Sequence, residues 1–185
     1  MSEVDHGTLR AQLRALGVSL GAAVQVHTSF RSVRPVAGGV DGLIQALLDS
    51  VGPAGTIVMP SWPEDADHGF DPTVDPADPD LGAVADRFWR HPDAARNDHP
   101  AAFAAIGPAA ERILRDPLAL PPHLPESPVG RVRDLDGHVL LLGVNHDANT
   151  TIHLAELVAG VGYRRQKHCT CLLYTSDAAD EMSEV

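Results

Sequence analysis

Cationic side chains are scarce in this chain: 14 Lys and Arg stand against 25 Asp and Glu among 185 residues, a formal charge of -11. That balance argues against a protein that holds phosphate backbones, because nucleic-acid binding draws much of its affinity from Lys and Arg; it favours cationic ligands instead. Cysteine is nearly absent. Cys169 and Cys171 lie too close together to close a stabilising loop, so a disulfide scaffold is excluded and free thiols in a reducing compartment are expected. No run approaches the ~18 unbroken apolar residues that a membrane span requires. The stretch from Met1 to Gly7 is polar and acidic, without the apolar centre of a secretion signal. A soluble, cytoplasmic protein with neither a nucleic-acid nor a membrane partner is therefore expected. At 44% hydrophobic residues the chain has material for one ordinary core, and hence one domain.

What is present alternates between two periodicities. Thr8 is placed to cap a helix carrying Leu9, Leu13 and Leu16 on one face and ended by Gly17, after which Ala23 to His27 reads as a short buried strand. Behind Gly38-Gly39, the spacing of Val40, Leu43, Ile44, Leu47, Leu48 and Val51 predicts a helix that Gly52-Pro53 stops, and Gly55 to Pro60 is a second buried strand. Helices are predicted over Leu81 to Arg90, from Pro108 to Leu114 and from Ser127-Pro128, with short strands at Phe103 to Ile106 and Val139 to Val144. Apolar strands alternating with helices indicate an α/β sheet covered on both faces.

Two stretches interrupt this pattern. From Trp62 to Asp98 the chain places ten acidic residues against Arg87, Arg90 and Arg96, much of it in a Pro- and Asp-rich loop. As a solvated connection such a loop needs no function. Loops of this length in compact domains are nevertheless often functional, and over a cleft its carboxylates would suit a ligand bearing several ammonium groups. Trp62 either stacks on a sugar ring or closes the core, while Arg96 and His99 either contact phosphate or anchor a loop. The second stretch, His27 to Gly39, joins a strand end to a helix start. Its hydroxyls, its arginines and the pair Gly38-Gly39 form a plausible seat for phosphate or amide oxygens, although neither a GxGxxG nor a Walker pattern is present.

The run Asn149 to Glu156 sets an imidazole and a carboxylate, His153 and Glu156, three residues apart on a helix that follows a buried strand. Near neutral pH a histidine can accept a proton, and a neighbouring carboxylate can fix its tautomer. The same spacing also occurs on ordinary solvated helices.

Several segments decide between these readings. They are His27 to Gly39, Gly55 to Trp62, Phe70-Asp71-Pro72, Asp80-Leu81-Gly82, Phe88-Trp89-Arg90, His99-Pro100, Pro121-Pro122-His123, Ser127-Pro128-Val129 and Leu140 to Glu156. In one collinear order they resemble the aminoglycoside 3-N-acetyltransferases, and most of all the type IV branch that modifies apramycin and gentamicin. The resemblance implies a three-layer α/β/α sandwich with a central mixed sheet, unrelated to the GNAT acetyltransferases. It implies acetyl transfer from acetyl-CoA to the 3-amino group of a 2-deoxystreptamine antibiotic, which confers resistance. Carried over by position, His27, Thr28, Ser29, Ser32, Arg34, Val36, Gly38 and Gly39 form the acetyl-CoA seat; many relatives have glycine in place of Arg34, and arginine fits the type IV pattern. His153 is implied as the catalytic base. Trp62, Glu64, Asp67, Asp71 and Asp98 face the antibiotic. Glu156 either orients His153, points to solvent or accepts an antibiotic ammonium.

The likeness covers the domain expected over residues 1–170. Residues 171–185 depart from it and read as an artefactual tail, with Met182 to Val185 repeating Met1 to Val4. Family members continue further, with a segment that adds carboxylates to the site, so this chain is expected to bind CoA weakly and to acetylate poorly. Two other readings stay open. A non-catalytic domain sequestering polycationic antibiotics would bind without releasing CoA thiol. A zinc hydrolase using His146, His153, His168, Cys169 and Cys171 would contain metal, although no HExxH or paired CxxC supports it.

Overall fold

A computed structural model describes residues 3–64, 69–115 and 122–163. The elements are α1 (His6–Ala15), β1 (Ala23–Thr28), α2 (Phe30–Val33), α3 (Gly39–Val51), β2 (Thr56–Pro60), α4 (Gly82–Trp89), β3 (Ala95–Arg96), β4 (Phe103–Ile106), α5 (Ala110–Leu114), α6 (Pro128–Asp134), β5 (His138–Leu142) and α7 (Thr151–Ala159), with 3-10 turns at Pro79–Leu81 and His146–Ala148. Five strands form one sheet in the order β3-β4-β2-β1-β5. β1 pairs in parallel with β2 and with β5, whereas β4 runs antiparallel to both β2 and β3.

The period of two along the strands sorts the core into two halves. Val24, Val26, Ile57, Met59, Ala104, Ile106 and Leu140 meet Leu13 of α1, Leu43, Ile44, Leu47 and Val51 of α3, and Val84 and Phe88 of α4. Ala23, Val58, Phe103 and Ala105 meet Ile113 and Leu114 of α5, Val129 and Val132 of α6, and Leu154 of α7. Helices thus cover both faces of a mixed sheet, which makes the expected three-layer α/β/α sandwich. β1 and β2 are buried along nearly their whole length because neither face meets water.

Three local expectations need correction. Asp5, not Thr8, caps α1: its carboxylate accepts hydrogen bonds from the Thr8 amide at 3.0 Å and the Thr8 hydroxyl at 2.7 Å. The strand read as buried over 139–144 is β5, which lies at the edge of the sheet among the described residues and whose His138 and Val139 are exposed. The helix read from Pro108 begins at Ala110. Two elements that periodicity does not predict, α2 and β3, are four and two residues long.

Because β1, β2 and β5 are parallel, their C-terminal ends open at one edge of the sheet. The segments that follow them, 29–38, 61–64 and 143–150, gather there, as do ligand sites in α/β sheets generally. Gly143 draws two of these segments together: at φ +68° it takes a left-handed turn, and an added Cβ would lie 2.5 Å from Ser32 Cβ. The Ser29 amide donates to the Leu142 carbonyl at 2.9 Å across the same junction.

Candidate active site

α7 carries His153 and Glu156 on one side. Its start is held by the Asn149 side chain, whose oxygen accepts from the Thr151 amide at 3.0 Å; Thr150, the capping residue, makes no such bond of its own. Three residues apart on the helix, His153 Nδ1 and Glu156 Oε2 are 3.0 Å apart. Glu156 Oε1 accepts from the Tyr163 hydroxyl at 2.8 Å. The bonds to His153 and then to Tyr163 hold the Glu156 carboxyl below the usual glutamate range, so it is a carboxylate at neutral pH. A carboxylate facing Nδ1 places the ring proton there and leaves the lone pair of the neutral imidazole on Nε2. The His153 side chain is 57% exposed and open to solutes.

Beneath α7 lies a polar cluster inside the sheet layer. Ala23, Gln25 and His27 share one face of β1, and the last two are buried at 1% and 5% exposure. The Gln25 amide nitrogen lies 2.6 Å from Thr150 Oγ1 and 2.9 Å from His27 Nε2, with Thr150 Oγ1 3.3 Å from the same imidazole nitrogen. Burial lowers the His27 pKa to about 4; the ring is neutral and accepts. The cluster ties β1 to the residue whose carbonyl takes the His153 amide bond at 3.1 Å. Thr150→Val is expected to lower stability by about 1–2 kcal/mol by stranding buried donors, read as a lower urea midpoint at unchanged slope.

The acidic loop is fastened by one arginine. Arg96, on β3, donates to the Ser61 carbonyl, to the Asp75 carbonyl at 2.6 Å and to the Pro72 carbonyl at 3.3 Å, and its Nε lies 3.2 Å from Ser61 Oγ. Its guanidinium stacks between Phe70 and Trp89, 4.6 and 4.4 Å from the ring centroids. Desolvation lowers its pKa to about 10, and it stays charged at neutral pH. Of the two roles open to Arg96, the structure gives it loop anchoring. Asp71 receives the amide and hydroxyl of Thr73 at 2.9 and 2.6 Å, which hold its carboxyl below the usual range. Asp98 goes the other way: burial raises it, the Asp71 charge raises it further, and His99 opposes both. Two carboxylates that feel each other's charge, one of them poorly solvated, favour a cation between them.

The residues expected at the acetyl-CoA seat divide. Ser29 and Ser32, with hydroxyls 3.3 Å apart, sit on the short α2 turn beside exposed Arg31 and Arg34. Gly38 and Gly39 take left-handed angles of 75° and 63° and begin α3. Thr28 ends β1, partly exposed. Two others are not at that surface. His27 points into the cluster under α7, and the Val36 side chain is in the core at 4% exposure, so a ligand can meet only the main chain of Val36. Trp62 lies against Phe103, rings edge to face at 6.1 Å, and Glu64 is exposed. Asp67, His168, Cys169, Cys171 and the tail over 171–185 fall outside the described residues. Among the described residues no three His, Cys, Asp or Glu side chains come together in a way that could hold a metal ion, and no helix is long and apolar enough to cross a membrane. Sequence reasoning misses Gln25 and Thr150; the period of two, which puts Gln25 and His27 on one buried face, is the available signal.

The model of the family described as aminoglycoside 3-N-acetyltransferase matches residues 25–185. The chain belongs to that family. It is 60% identical over 164 residues to aminoglycoside N(3)-acetyltransferase IV from Salmonella sp, a match covering 89% of this chain and 63% of the relative. The chain thus spans under two thirds of that relative's length. Among solved structures, the apoenzyme of aminoglycoside acetyltransferase AAC(3)-IVa superposes with a TM-score of 0.90 at 57% identity, covering 93% of this chain and 68% of that one. A histidine-to-alanine variant of the same enzyme is known in complex with a gentamicin, with the same TM-score and identity over 93% of this chain and 66% of that one. AAC-IIIb in a binary complex with CoASH matches at 31% identity and a TM-score of 0.83, over 91% of this chain and 70% of that one.

Proposed function

We propose that this chain carries the acetyl-CoA and aminoglycoside sites of an acetyltransferase that moves an acetyl group from acetyl-CoA to the 3-amino group of 2-deoxystreptamine antibiotics, with resistance as the outcome. The observation that carries the reading is the His153–Glu156 pair at 3.0 Å, on an exposed helix at the same sheet edge as the acidic loop. An aminoglycoside amine arrives largely as ammonium and cannot attack a thioester until it loses a proton. His153 Nε2 accepts that proton, and Glu156 at Nδ1 orients the ring and stabilises the imidazolium that forms. The nitrogen lone pair then adds to the thioester carbonyl, the adduct's remaining excess N–H proton passes to the departing sulfur so that CoA leaves as the thiol, and the neutral amide remains on the sugar. No acyl-enzyme is required; holding both substrates together contributes much of the rate.

The turn over residues 29–39 suits the donor. Arg31 and Arg34 offer cations to phosphate, Ser29 and Ser32 offer hydroxyls, and glycine at 38 and 39 keeps the backbone amides open to a close approach. The relative bound to CoASH supports a CoA-type ligand, and the variant holding gentamicin supports an antibiotic site that survives loss of a histidine. Asp71 and Asp98 then meet ammonium groups. Release of CoA thiol from acetyl-CoA tests the proposal, assayed with this chain and with the same chain continued to the length of its type IV relatives. Release that depends on gentamicin or apramycin is expected; binding of the antibiotic without release would favour sequestration.

Asp98 provides a second test with a definite sign. Its folded pKa lies above its unfolded one, so ionisation destabilises the native state above the unfolded pKa, and the penalty disappears at pH below both. Asp98→Asn is therefore expected to raise the thermal midpoint at neutral pH, with the gain vanishing in acid, while weakening antibiotic binding measured by calorimetry. A variant that neither gains stability nor loses affinity contradicts the assignment.

A further inference from the structure

An aromatic file crosses the sheet edge from the acidic loop to the base. Trp62 meets Phe103 at 6.1 Å and 77°, Phe103 meets His123 at 6.2 Å and 84°, and His123 meets His153 at 5.3 Å and 50°. Phe103 is 1% exposed and packed in the core half covered by α5, α6 and α7, so the file rests on a fixed ring and ends on an exposed one. His123 sits there at a cost: its φ is +69°, a left-handed angle rare for a residue with a large side chain. Its ring is partly buried, and that desolvation, with His153 beside it, lowers its pKa to about 4.

We propose that His123 is a positioning residue for His153, a neutral aromatic plate that fixes the plane of the base so that Nδ1 stays on Glu156 and Nε2 faces the bound amine. A helix-borne imidazole that is more than half exposed has several rotamers available, and one hydrogen bond to an equally helix-borne glutamate does not choose among them. A ring wedged between Phe103 and His153 does. When His153 gains its proton, a neutral π-face within about 6 Å also attracts the new cation, whereas a protonated neighbour would repel it.

The inference rests on His153 being the base, but its first test does not need turnover. Nitrogen-15 shifts of the imidazoles in the 185-residue chain report which His153 nitrogen carries the proton. Glu156→Ala supplies the value for a released ring. His123→Asn tolerates the left-handed backbone but removes the plate; His123→Phe keeps a plate and removes the nitrogens. The expected result is a dominant Nδ1–H form in the parent and in His123→Phe, and a shift to the released value in His123→Asn with unchanged core amide shifts. An unchanged tautomer in His123→Asn, or equal release in His123→Phe, overturns the proposal. In a chain that turns over, His123→Asn is expected to lower kcat about 10- to 100-fold with the antibiotic KM little changed. If that split is absent while the tautomer shifts, the reading of His153 as base fails and the positioning role stands.

Discussion

Replacing His153 with alanine is expected to lower the rate of acetyl transfer by about 100- to 10,000-fold, with gentamicin affinity changed only slightly. The range follows from the job assigned to the imidazole. On the proposed mechanism, general-base assistance lies on the path of every turnover, whereas antibiotic affinity comes mainly from the carboxylates of Asp71 and Asp98. The loss should therefore fall on kcat. Glu156→Gln is expected to lose less, since an amide oxygen can still accept from Nδ1–H but brings no charge to stabilise the imidazolium. Steady-state kinetics on the chain continued to family length, beside calorimetric titration with gentamicin, measures both quantities.

The second large effect concerns Arg96. Its guanidinium satisfies the carbonyls of Ser61, Pro72 and Asp75 and lies between Phe70 and Trp89. Arg96→Ala therefore strands several acceptors and opens a gap between two rings in a single step. A loss of about 3 kcal/mol is expected, corresponding to about 6–12 °C in the thermal midpoint of a domain this size. Arg96→Lys is expected to recover little, because a point ammonium cannot reproduce a planar fork stacked between aromatic faces. Since the same bonds hold the loop that carries Asp71, the antibiotic KM should rise along with the loss of stability.

Much of this architecture is legible from side-chain periodicity. The apolar spacing of Val40 to Val51 and the apolar run at 55–60 mark α3 and β2 because each buries a continuous stripe or both faces, and burial leaves a regular pattern. Elements of two and four residues, β3 and α2, complete no period and leave none. β5 reads as a central strand because Val139 to Leu142 is apolar, but whether a strand has one neighbour or two depends on sheet order, and in the described sheet it pairs with β1 alone. Adjacency assigns His27 to the loop after β1, although alternation from Ala23 places it on the face toward α7. The His153–Glu156 spacing is visible in the sequence. The plate beneath it is not: His123 reaches His153 only through a left-handed turn and the packing of Phe103, and both are set by tertiary structure.

The pH dependence of the His153→Ala variant, compared with its parent, tests the central claim most directly. If the imidazole exists to take a proton from the substrate ammonium, raising the pH supplies free amine without it. The variant's single-turnover rate should then climb about tenfold per pH unit below the amine pKa, narrowing the gap to the parent. A deficit that stays the same size across that range would mean that His153 does something other than remove the proton.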